Sequence, residues 1–178
     1  MSSKCFITFL NTTTQTERSG SNSRLQPPCL HASHSSFLRR KVANGMPEAL
    51  YSFVPSNGEF KGVRTFSQLV KHVAVDNYMM GAALLGGKAP IDVGVHENGP
   101  DGIVTKAEIV EFLQHSFTYL HKAVATVNQR NLMESVSYEG VLIPRLVVVN
   151  AAISHPWDIF GQMIEYLRMN GIDPQKLP

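Results

Sequence analysis

Cysteine is nearly missing: 178 residues contain only Cys5 and Cys29. That excludes a disulfide scaffold and a cysteine-based zinc site. Charge is also sparse, with 17% Asp, Glu, Lys and Arg and a formal net charge of +2. So small an excess argues against a nucleic-acid coater. The longest apolar run near the start, Cys5–Leu10, is too short for a signal-peptide core or a membrane span. No membrane association is expected, and the expected compartment is the cytoplasm. Neither a G-x-S-x-G elbow nor a phosphate-binding glycine loop occurs. What remains is a 43% hydrophobic chain, long enough for one buried core.

The charge is unevenly placed. Residues 1–44 hold six basic residues and one acid, whereas residues 45–178 hold ten and 13. The first 44 residues also carry 13 Ser or Thr, and Asn11–Asn22 has no apolar side chain. Such a stretch cannot contribute to a core. Residues 1–34 are therefore expected to be a disordered extension, or the product of a start codon placed too early. Their Ser-rich, Arg-bearing, acid-poor composition resembles that of an organellar transit peptide, but the amphipathic period is missing. Residues 35–178 form the expected domain.

Within it, capping boxes mark two helix starts, Thr65 with Gln68 and Thr105 with Glu108. The first helix carries the stripe Phe66, Leu69, Val70, Val73, Asn77, Met80 and Leu84, and stops at Gly86-Gly87. The second carries Ile109, Phe112, Leu113, Phe117, Leu120, Val124 and Val127, and should end near Arg130. A last long helix begins near Leu146 and ends before Gly171, with Pro156 predicting a kink or a second start. Ser35–Asn44 adds a short first helix. Leu146–Val149 is β-branched but has no strand partner in this reading, so it joins the helix. These elements predict an all-α, antiparallel four-helix bundle. Gly87–Val104 reads as a long solvated crossover loop.

Three pieces of sequence carry a family resemblance. They are Met46-Pro47-Glu48 with Tyr51-Ser52-Phe53, the R-T-F-x-Q-L-x-x-H-x-A run from Arg64 to Ala74, and G-Q-x-x-x-Y-L-R-x-N-G-I-x-P from Gly161 to Pro174. Together the chain resembles the DinB-like superfamily of metal-binding four-helix bundles over about residues 35–176. The resemblance implies three histidines around a divalent metal, zinc or nickel among others. Two of those positions fall on His72 and His155, and the third falls on Ile159. Isoleucine has no lone pair, so the resemblance implies a degenerate histidine site without strong catalytic activity. The alternative is a metal-dependent thiol S-transferase or isomerase that acts on a small-molecule thiol and uses His72, His155 and a substitute ligand. Asp158 is the candidate substitute, three residues from His155. Asp76, Ile159, Gln162 and Tyr166 are expected to line the pocket, and His72 and His155 could equally bond to each other or to Asp76. A homodimer is implied by the resemblance alone. The remaining histidines lack ligand spacing on any expected scaffold.

Overall fold

The computed structural model describes residues 39–55 and 62–177. The expected N-terminal extension and both cysteines lie outside the described residues. Helix α1 is described over 39–45, within the expected 35–44 segment and one residue beyond it. Helix α2 spans Phe66–Leu85, α3 Lys106–Val124 and α4 Arg145–Met169.

Both capping boxes form. The Thr65 hydroxyl accepts from the Gln68 amide at 3.2 Å while Gln68 Oε1 accepts from the Thr65 amide at 2.8 Å. Thr105 and Glu108 repeat the arrangement. Gly86 caps α2 at φ 74°, a left-handed conformation that glycine adopts without a Cβ clash. Helix α3 stops at Val124, short of the expected Arg130. The Thr126 hydroxyl bonds to the Ala123 carbonyl at 2.7 Å, and the Asn128 amide donates to Asn131 Oδ1 at 2.8 Å. These local bonds offer the backbone an alternative to further helical turns. Helix α4 runs through Pro156 without a second start. The Pro156 carbonyl accepts from Arg39 Nε at 3.0 Å, which ties α1 to the middle of α4.

Contacts between helices fix their directions. Asn77 donates to Ser116 at 3.0 Å, and a Cβ on Gly81 would lie 2.8 Å from the Tyr119 ring. These pairings climb together, so α2 and α3 are parallel. Phe66 lies against Tyr166, His72 against His155, and Leu84 against Arg145, so α2 and α4 are antiparallel. The wholly antiparallel expectation is corrected here. A crossover from Gly86 to Thr105 carries the chain back along α2, which a short turn could not do.

The all-α expectation also needs correction. Strands β1 (Ser135–Tyr138) and β2 (Val141–Pro144) pair antiparallel, with Tyr138 opposite Val141. Glu139 at φ 50° and Gly140 at φ 79° make the two-residue turn, as the twist of a tight hairpin requires. Val136 points from β1 into an apolar cluster with Met80, Leu84, Leu120 and Val148. Leu146–Val149 is helical, as expected. The protein is therefore mostly helical, with four helices and one small hairpin among the described residues.

Helix α2 is central: 16 of its 20 residues are buried. The polar side chains on its buried faces are enclosed by their neighbours and must find partners there.

Candidate metal centre

Two polar side chains meet that condition one turn apart. His72 and Asp76 are 5% and 4% exposed. Their i, i+4 spacing sets them on one face of α2. His155, on the antiparallel α4, completes the group and remains half-buried, so the cluster is open on that side. His72 Nε2 lies 3.4 Å from His155 Nε2 and 3.3 Å from Asp76 Oδ2, and His155 Nε2 lies 2.7 Å from the same oxygen.

The outer face of His72 is held by the crossover. Its Nδ1 lies 3.2 Å from the Glu97 carbonyl oxygen and 3.8 Å from the Glu97 carboxylate. A carbonyl can only accept, so this contact favours the tautomer with the proton on Nδ1. In the neutral ring the Nε2 lone pair then faces Asp76 and His155. The Asp76 oxygen is buried, and its close partners are the two imidazole nitrogens, with His155 Nε2 the nearer. Three donor atoms thus converge on one point. Zinc bonds of about 2.0–2.1 Å in a tetrahedron place ligand atoms about 3.3–3.4 Å apart. Two of the three separations match that spacing, and the third is shorter. The residues fit a small divalent cation.

The His155 imidazole is held above its ordinary pKa, first by a hydrogen bond to the Asp76 carboxylate and further by that carboxylate's charge. Burial opposes this shift, Asp158 adds to it, and Arg64 opposes it. Tyr138, at the end of β1, is pushed up by burial and by the charges of Glu139, Asp76 and Glu97. The hairpin therefore brings a phenol into the electrostatic field of the cluster.

The other predicted site residues sit elsewhere. Asp158 is exposed and accepts from Gln162 at 3.2 Å, and Gln162 is itself exposed. The structure places both outside the cluster, because α4 turns that face to solvent. Ile159 is 3% exposed and packs in the core. Tyr166 is buried, but its hydroxyl donates to the Arg64 carbonyl at 2.9 Å rather than reaching the histidines. The crossover is not simply solvated: Glu97 meets His72, Lys71 Nζ donates to the Pro100 carbonyl at 3.0 Å, and Gly99 is buried. Its polar sequence concealed that packing. The placing of Asp76 beside His72 had a legible signal, since the two lie four residues apart on one helix.

Imidazoles and a carboxylate projecting inward from two helices define a bundle-borne candidate metal centre. The chain belongs to the DinB superfamily, whose family model matches residues 38–163. Its fold is similar to that of a DinB-like protein from Bacillus cereus ATCC 10987, with a TM-score of 0.63 and 14% sequence identity. The match covers 84% of this chain and 93% of that one. No curated protein matches the chain. No helix among the described residues is long and apolar enough to cross a membrane.

Proposed function

We propose that this protein holds one divalent metal ion, zinc or nickel, through His72, Asp76 and His155. The observation that carries this reading is the convergence of three donor atoms, one of them a carboxylate oxygen buried against both imidazoles. A bound ion supplies Lewis acidity at its open position, toward water or a thiol.

The side chains set the terms of that chemistry. Two neutral imidazoles and one carboxylate leave a divalent ion with a single net positive charge, less than three imidazoles would leave. Asp76 thus moderates the site's attraction for anions while substituting for the imidazole that Ile159 cannot provide. His72 is fixed from behind by Glu97, and His155 lies at the open edge. Arg64, near enough to oppose protonation of His155, supplies a cation at that edge. This arrangement supports a small anionic substrate. A small-molecule thiol, bound as thiolate, is the reading we adopt, with S-transfer or isomerisation as the activity class.

Metal content tests the ligand set. Protein loaded with zinc or nickel and desalted should retain one ion per chain. His72→Ala and Asp76→Ala should lose it, and Asp158→Ala should keep it. Loss in Asp158→Ala with retention in Asp76→Ala would overturn the assignment.

A further inference from the structure

The crossover makes an unusual approach to the cluster. His96 and Glu97 both have positive φ, 53° and 59°, a region that L-residues with side chains seldom occupy. The loop is pinched beneath them. The Gly99 amide donates to the Val93 carbonyl at 2.9 Å, and a Cβ on Gly94 would lie 2.1 Å from the Gly99 oxygen. The four residues between those glycines form a tongue directed at the start of α2. Its acceptors are divided between two partners. Arg64 Nη2 donates to the His96 carbonyl at 2.8 Å and Arg64 Nε to Asn98 Oδ1 at 2.9 Å. The intervening Glu97 carbonyl receives His72 Nδ1.

We infer that Arg64 and the His96–Glu97 turn are a positioning device that sets the tautomer and ring orientation of His72. A bidentate guanidinium suits that task, because its planar fork holds two acceptors at a fixed separation. It grips the residues on either side of Glu97, and so fixes the carbonyl between them. With that carbonyl in place, the proton of neutral His72 resides on Nδ1 and Nε2 is free to bind. Without it, the alternative tautomer would put a proton on the atom that faces Asp76 and His155. The expected consequence for metal affinity rests on the ligand set proposed above. The tautomer itself does not, and it can be measured without metal.

The experiment is nitrogen NMR of the imidazoles in metal-free full-length protein, above the pH range where histidine is charged. It is paired with zinc titration of the same samples. Wild type should show His72 protonated on Nδ1. Arg64→Met should shift His72 toward the Nε2-protonated form and lower zinc affinity about 10–100-fold, as loss of ligand-orienting contacts does. The sign is informative. Removing a nearby positive charge would by electrostatics alone raise affinity for a cation, so a loss reports positioning. Arg64→Lys should recover only part of the effect, since one ammonium cannot reproduce the fork. Glu97→Gly keeps the carbonyl and tolerates positive φ, so it should preserve the wild-type tautomer. If Arg64→Met does not fold, Asn98→Ala removes one arm of the clamp and should give a smaller shift in the same direction.

An unchanged tautomer in Arg64→Met overturns the inference. So does unchanged zinc affinity in a variant whose tautomer has shifted. A tautomer change in Glu97→Gly also overturns it, by assigning the role to the carboxylate. If wild type binds no zinc but Arg64→Met still shifts the tautomer, the metal reading fails and the positioning role stands.

Discussion

Metal should stabilise this protein in a way that depends on Asp76 and on pH. In the metal-free protein, His155 has a folded pKa raised above its ordinary 6.5 by contact with Asp76. A group shifted in that direction contributes stability that is fully present below its unfolded pKa. The contribution is lost as pH rises through the raised folded value. Metal reverses the trend, because the ion must displace the proton from His155. Its stabilising effect should therefore be small in acid and grow as pH rises through the histidine range. At free zinc 100 times the dissociation constant, linkage gives about 2.7 kcal/mol. For a domain of this size that raises the melting temperature by roughly 5–10 °C. Thermal unfolding with and without zinc, across a pH series, measures the effect. Asp76→Asn should abolish most of the zinc shift and flatten the metal-free pH dependence, because a neutral amide neither pairs with imidazolium nor binds as a carboxylate. A His31→Ala, His34→Ala double variant should keep the whole shift. An equal zinc shift in Asp76→Asn, or one that grows toward acid pH, would refute the reasoning.

Two further outcomes follow from the scaffold. Gly81→Ala should destabilise by about 1–3 kcal/mol in denaturant titration, since the new methyl meets the Tyr119 ring at 2.8 Å. In a Tyr119→Ala background the same Gly81→Ala change should cost little, whereas stabilisation by Gly81→Ala alone would show that α2 and α3 are not so close. At Glu108, hydrogen bonds from the Thr105 amide and hydroxyl and the Val104 amide hold the carboxyl below its ordinary 4.5. Its contribution is present above that value and lost as pH falls through the lower folded one. Glu108→Gln, which keeps the capping partner without the charge, should remove this limb from the acid side of the stability profile. An unchanged acid limb in that variant would show that the box does not carry it.

The helices were legible because their signals are local. Thr65, Gln68, Thr105 and Glu108 specify their starts within four residues, and the apolar stripes predict which side chains enter the core. Relative direction is a different kind of fact. Whether α2 and α3 run parallel depends on where the crossover goes, and nothing within either helix encodes that path. The hairpin was hidden for a related reason. Ser135-Val136-Ser137-Tyr138 alternates as a strand should, and Glu139-Gly140 can turn, but four residues on each side give a weak signal. What holds the hairpin is remote in sequence: Val136 sits among Met80, Leu120 and Val148.

The site shows how far a linear motif can take a reading of chemistry. His72 and His155 are 83 residues apart, and the structure brings their nitrogens to 3.4 Å. Family resemblance predicted that meeting, which spacing could not. The same resemblance drew attention along α4, to Ile159 and then to Asp158, because the family pattern puts two of its three ligands there. Yet donor atoms meet by convergence in space, and the carboxylate that meets both imidazoles lies on α2. Asp76 is buried on the most enclosed helix, one turn from His72, and its carboxylate meets both imidazoles. Asp158 is exposed and engaged with Gln162. A carboxylate buried against two histidines has few ways to be satisfied: an imidazolium, another proton donor or a cation. In the metal-free protein a protonated His155, 2.7 Å from Asp76 Oδ2, meets that need, and the proposed cation would take the place of its proton.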